Sequence, residues 1–364
     1  MKTLSQAQLS ELETTFDAMH KKALADVGEN DARYIRRVLA TVRYTGFLGR
    51  ACLFLSFFPV FWVIGTLLLA VSKIMENMEV AHNVMHGQYD WMNDPKLKGQ
   101  TYEWDIAGTS DNWRQSHNVM HHTYTNIKGV DDDVGYGILR LFPEQRWKPH
   151  YLLQPIYIVI FALLFQWGIA IQELRLGRLF AGKTPKAEFQ KQWQPAKRKM
   201  LKQLLKDYVV FPLLAGPMFL SVFAGNFVAN GIRNVWTFVV IFCGHFTKDA
   251  EIFPKSVLKN ETRGHWYYRQ ILGSSNLRGG KFFNLMTGNL SHQIEHHLFP
   301  DVPAHRYADM AVEVKATCKR VGIPYNEGSF ISQFSQVLWR IIRHALPSSV
   351  QKSSIQLERT SQAV

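Results

Sequence analysis

The chain has 364 residues, 47% of them hydrophobic and 20% charged, and its mean hydropathy of −0.12 excludes a protein lying wholly inside a bilayer. The 42 basic and 29 acidic residues leave a net charge of +13. No helix-turn-helix, zinc-finger or aromatic-rich sheet pattern accompanies that excess, so no nucleic-acid partner is expected. The apolar residues are bunched, and runs of about 20 are what a hydrocarbon layer of roughly 30 Å demands of a helix.

Residues 1–40 are polar and helix-prone, with no apolar core of the signal-peptide kind, and read as a cytosolic amphipathic segment. A first apolar block, about 41–78, holds one span or a tight pair broken near Pro59. Residues 79–150 are polar and rich in His, Asp, Asn and Trp, with no clear strand alternation. The run from Tyr151 to Gln172 carries no charge and is followed by a basic stretch, 173–207. If the run crossed the membrane, that stretch would be translocated, against the cytoplasmic preference of Lys and Arg. It is therefore expected to be re-entrant or to lie along the surface. Block 208–247 has the length of two spans, with a turn expected near Gly225, Asn226, Asn230 and Gly231. Residues from 248 onward are polar again, and the tail from about Pro347 reads as disordered. Cys52, Cys243 and Cys318 are too sparse for a disulfide framework or a cysteine metal site.

The chain has 14 histidines, and eight of them fall in three short clusters: His82 and His86; His117, His121 and His122; His292, His296 and His297. On a helix, residues four apart share a face, so each cluster can turn two or three imidazoles into one space. A lone HxxxH is usually idle. Three clusters beside membrane-length apolar runs are not explained that way. Imidazole suits iron, copper and zinc, and eight nitrogens exceed what one ion holds, so two metal ions are the natural count. A zinc-dependent membrane peptidase is a weaker reading. His292-x-x-Glu295-His296 matches its inverted motif, but the five histidines of the other two clusters are then left over. A non-catalytic membrane anchor is the reading that makes no metal demand at all.

These residues resemble the membrane-bound fatty acid desaturases, whose three boxes occur here as His82-x3-His86, His117-x3-His121-His122 and Gln293-x2-His296-His297. QIEHHLFP (293–300), HHTYTN (121–126) with the acidic run Asp131–Asp133, and SSNLRGG (274–280) are similar to the subgroup whose third box begins with Gln. HGQYDWMNDP (86–95) is similar to bacterial acyl-CoA and acyl-lipid desaturases. The resemblance spans roughly 40–325. It implies an all-α integral membrane protein with two transmembrane hairpins, about four spans, under a cytosolic helical cap holding a histidine-rich dimetal site. The desaturase domain would then be 41–325, flanked by the 1–40 segment and by a C-terminal helix and tail, 326–364.

The activity implied is insertion of a double bond into the acyl chain of a fatty acyl-CoA or acyl-lipid, with a hydroxylase on the same scaffold as the alternative. Unactivated C–H bonds are beyond any side-chain base. The resemblance accordingly implies two iron ions, O2 as co-substrate and two external electrons. Ligands would come from the three boxes and from His245, which ends the second hairpin. His292 and Gln293 compete for one place: the i, i+4 pairing with His296 favours His292, and the family spacing favours Gln293. Glu79 and Glu295 are candidates for carboxylates that orient ligand rings, and Trp91 and Trp113 for the lining of a substrate tunnel. Neither the HPGG haem motif nor a dinucleotide fingerprint occurs in the sequence, so an external donor such as ferredoxin with its reductase is expected, docking on the basic face. A multi-pass position in the cell membrane, with the site facing the cytoplasm, completes the expectation.

Overall fold

The computed structural model describes residues 3–347; the tail expected to be disordered lies outside them. Helix α1 (Gln6–Ala25) starts with a capping box on Ser5, whose side chain accepts from Gln8 N–H. α2 (Glu29–Phe54) and α3 (Pro59–Met85) form a hairpin turned at 55–58, with Pro59 in the first turn of α3, where its missing N–H costs nothing. The break near Pro59 is thus between two helices. They approach closely because Gly49 and Gly65 face each other: a Cβ on Gly65 would lie 2.8 Å from Gly49 O.

A long loop leads to α4 (residues 110–124). α5 (Gln154–Leu163) and α6 (Phe165–Gln172) follow, part of a helical pair bent by 98° at Leu164. α7 (Lys186–Leu205) continues helically to 214 and turns into α8 (Phe219–His245). α9 (Arg263–Leu272), β1 (Asn276–Arg278), α10 (Gln293–Leu298), α11 (Tyr307–Val321), β2 (Glu327–Ser329) and α12 (Phe330–Ala345) complete the body. α3 and residues 216–245 are long and apolar enough to cross a membrane, and the bent pair raises the number to as many as three, among the described residues.

Two expectations are corrected. The second hairpin turns at 215–218, where Gly216 takes φ +55° and Pro217 follows, and not at 225–231. Gly225 is instead packed on Leu53, and Asn226 and Asn230 donate to the Asp207 carbonyl and carboxylate. The small and polar residues that read as a turn are interhelical contacts. The first arm of this hairpin therefore begins in the basic stretch, well before 208. The chain is not purely α: β1 and β2 pair in parallel, Leu277 against Gly328. That pairing, and α12 packed on α8 and α5, makes 327–345 part of the body. Helix α2 runs without a break through residue 40.

Between the two hairpins lies a buried ionic cluster. Asp207, fully buried, takes Lys73 Nζ at 2.9 Å, with Arg50 and Lys206 each at 3.8 Å. Asn230 and Gln203 also donate to its carboxylate, at 3.0 and 3.2 Å. Removing one partner of a buried pair leaves an uncompensated charge, which costs about 3–5 kcal/mol. Asp207→Ala is expected to lose that much stability in detergent-solubilised unfolding, and Asp207→Asn, which keeps the amide contacts, clearly less.

Candidate metal centre

Four elements deliver the clustered histidines. His82 lies in the last turn of α3 and His86 caps its end. His117, His121 and His122 come from α4, His245 from the last turn of α8, and Gln293, His296 and His297 from α10. Plain α-helical spacing, assumed from the sequence, does not hold throughout. His82 N–H bonds Asn77 O and His122 N–H bonds His117 O, so a wider π turn enters both helices at the clusters and re-aims the rings.

One ring nitrogen from each of His82, His86, His117 and His296 lies within 4.8 Å of the others, as does one from each of His121, His245 and His297. His117 and His121 also form such a group with Asp133. His122 sits between the two main sets, its Nε2 3.2 Å from His117 Nε2 and its ring stacked on His297. Of the disputed pair, Gln293 reaches the cluster, with Nε2 3.0 Å from His245 Nε2 and Oε1 unpartnered. Gly244 makes room for it: a Cβ there would lie 2.9 Å from Gln293 Cγ. His292 points elsewhere, toward Asn284 at 3.4 Å and Glu295 at 3.9 Å. His292 and His296 therefore do not share a site, and the inverted peptidase motif is not assembled.

The outer nitrogens decide the chemistry. His121 Nδ1 donates to Asp131 (2.9 Å), His82 Nδ1 to Asn83 Oδ1 (3.1 Å), His245 Nδ1 to Gly273 O (3.2 Å) and His297 Nδ1 to Gln270 Oε1 (3.1 Å). Each partner is an acceptor, so the proton sits on Nδ1 and the Nε2 lone pair faces inward. Inside, His121 and His245 bring Nε2 atoms to 3.3 Å, His297 and His245 to 3.1 Å, and His82 Nε2 lies 3.3 Å from His117 Nε2. Facing lone pairs repel unless a cation lies among them. His86 Nε2 and His296 Nε2 are buried with no partner. Burial, then mutual repulsion of the rings, holds His86, His117, His122, His296 and His297 well below the ordinary histidine pKa, keeping them neutral as metal ligands must be. At His121 burial acts the same way, but Asp131 and Asp133 outweigh it and the net shift is upward. The donor set fits transition-metal ions.

Neither carboxylate expected to orient a ring does so. Glu79 accepts from Tyr34 and Asn289, and Glu295 from Asn276 and Tyr325. Their nearness in sequence is not nearness in space, because both point away from the cluster on their own helices. Asp131, Thr125, Gln270 and the Gly273 carbonyl hold the rings instead; Thr125 and Asp131 fall in the stretches that carry the family resemblance, but no ligand spacing singles out any of the four. Trp113 stacks on His117 with centroids 4.4 Å apart, whereas Trp91 is exposed. His20 and His305 pair with Asp301 and Asp31, away from the site. Beside the histidines a partly enclosed cavity is lined by α3, α6, α8 and the 104–117 segment, largely with apolar and aromatic side chains such as Met78, Trp104, Trp113, Tyr136, Phe165 and Ile241.

A helical body with membrane-length apolar helices and a histidine cluster at their ends defines a membrane-embedded enzyme of the histidine-box type. The family model for fatty acid desaturases matches residues 56–329. The chain is 44% identical over 348 residues to an NADPH-dependent stearoyl-CoA 9-desaturase of Mycobacterium tuberculosis, covering 94% of this chain and 82% of the relative. It is 27% identical over 313 residues to an sn-1 linoleoyl-lipid 6-desaturase of Synechocystis, covering 82% and 84%. The chain belongs to the fatty acid desaturase family and is a membrane enzyme of lipid metabolism.

Two outcomes test the geometry. Gln293→Ala is expected to lose metal and activity, while His292→Phe keeps both; metal analysis of the purified variants checks this. Asp131→Asn, which cannot hold the Nδ1 proton of His121 as firmly, is expected to weaken metal retention about 10–100-fold in chelator competition.

Proposed function

We propose that this chain is a diiron, O2-dependent desaturase that introduces a double bond into the acyl chain of a fatty acyl-CoA or acyl-lipid. The observation that carries the reading is the pair of inward-facing imidazole groups beside a largely apolar cavity. His82, His86, His117 and His296 would hold one ion, and His121, His245 and His297 the other. His122 lies between them, and Gln293 beside His245. When bound, two irons supply the oxidising power that removal of two hydrogens from an unactivated methylene pair requires, drawing on O2 and two electrons.

The protein's own contribution is placement. The apolar cavity wall excludes water and holds one methylene pair beside the ring cluster. Trp113, stacked on His117, fixes both that ring and the cavity wall. Asp131 holds the Nδ1 proton of His121, and Gln270 with Thr125 engages Nδ1 of His297. Two hairpins, α2/α3 and α7/α8, would give four spans, with the α5/α6 pair dipping in from one side. Exposed Leu201, Leu204, Val209, Val210, Leu213 and Leu214 on the far part of the α7 arm support its insertion. The remaining elements, with 41–325 as the desaturase domain, would form a cytosolic cap at the cell membrane.

Electrons would come from an external carrier, such as ferredoxin with its reductase. The relative named as NADPH-dependent supports a reductase-fed chain. Lys191, Lys197 and Arg198, exposed on α7, offer a basic face to an acidic carrier.

Expression in a host lacking the activity, with gas chromatography of total fatty acids, is expected to show new unsaturated chains, and the purified protein two irons per chain. His86→Ala and His296→Ala should remove both signals while the protein stays in the membrane fraction. Hydroxylated products, one zinc per chain, or an active His86→Ala protein would overturn the reading.

A further inference from the structure

The cavity beside the histidines is not uniformly apolar. Just past α6, Glu173 is 6% exposed, and neither of its carboxylate oxygens has a hydrogen-bond partner. Gln166 Oε1, on α6 itself, and Asn234 Oδ1, on α8, are also buried and unpartnered. All three residues line the cavity. The Asn234 amide is fixed by its other end, since Nδ2 donates to Leu163 O at 2.7 Å. Space is kept for the carboxyl by Gly108, where a Cβ would lie 3.1 Å from Glu173 Oε2. The Gly108 carbonyl is itself pinned by Trp104 Nε1 at 2.8 Å. Buried acceptors left without donors cost free energy, and a ligand carrying N–H or O–H groups removes that cost.

The two carriers of an acyl chain differ in this respect. A pantetheine arm, next to its thioester, bears two amide N–H groups and a hydroxyl. The ester and glycerol backbone of a diacyl phospholipid offer acceptors only. We propose that Glu173, Gln166 and Asn234 form the subsite for the pantetheine arm of an acyl thioester, and that Glu173 sets the preference for that carrier over a phospholipid. This rests on the desaturase reading of the same cavity. The arm is common to CoA and to an acyl carrier protein.

The test uses the purified, metal-loaded protein and Glu173→Leu, Glu173→Gln and Gly108→Ala variants. Binding of S-octadecyl-CoA, a thioether that does not react, is measured first. Glu173→Leu is expected to weaken it roughly tenfold, the worth of a hydrogen bond to a buried acceptor. Glu173→Gln, which keeps a carbonyl oxygen, should recover most of that, and Gly108→Ala, which only crowds the carboxyl, should fall between. Turnover is then compared with stearoyl-CoA, a stearoyl carrier protein, stearoyl phosphatidylcholine and S-ethyl thiostearate, which lacks the amides. The Glu173→Leu penalty in KM should be roughly tenfold larger for the two pantetheine substrates than for S-ethyl thiostearate, and the lower wild-type KM identifies CoA or carrier protein as the source. An equal penalty on all substrates, or a wild-type preference for the phospholipid, overturns the proposal. Glu173-dependent binding of S-octadecyl-CoA without any unsaturated product would keep the subsite and sink the desaturase reading.

Discussion

The site depends on where a few protons sit. Acceptors on the outer side of His82, His121, His245 and His297 hold Nδ1–H, and so every inner nitrogen of those rings presents a lone pair. Such a cluster is unfavourable by itself: the rings are buried, mutually repelling and only partly hydrogen-bonded. The surrounding helices must hold it together. Much of the rest of the fold serves that demand, from the hairpins whose ends carry the rings to the α9 and α10 segment that supplies both rings and their anchors.

Local helix geometry contributes as much as residue choice. The π turns at 76–81 and 114–121 each add a residue to one turn just before or within a histidine cluster. A third, at 206–210, sits on the ionic cluster of Asp207, Lys73 and Arg50. That cluster locks α7 against α3 and α2 below the histidine cluster. Charges there are tolerated because each faces another helix and not lipid. The same bundle that keeps Asp207 dry fixes the relative height of His82 on α3 and His245 on α8.

The membrane character was legible because a bilayer imposes a length and an apolarity that no soluble helix needs. The bend of the uncharged 151–172 run at Leu164 was not, since nothing in an unbroken apolar run marks where a helix breaks. The turn of the second hairpin was misplaced for a different reason. Gly225, Asn226 and Asn230 look like a turn in one dimension, and only the neighbouring Leu53 and Asp207 reveal them as contacts between helices. The β1–β2 pair joins residues some fifty apart, and three-residue strands carry no periodic signal.

By itself the sequence determined the residue types and their clustering: imidazoles in three groups beside apolar runs, which limits the chemistry because few functions need so many neutral nitrogens. It left His292 and Gln293 undecided and suggested Glu79 and Glu295 as ring-orienting groups because they lie near the histidines in the chain. Tertiary structure decided those points. Orientation in space depends on which neighbours a side chain meets, and Asp131, Gln270, Thr125 and the Gly273 carbonyl meet the rings through loops and helix packing that no spacing encodes. Which oxygens stay unpartnered in the cavity wall, Glu173 among them, is likewise a property of the packed molecule, since an acceptor is satisfied or not only by what the fold sets against it.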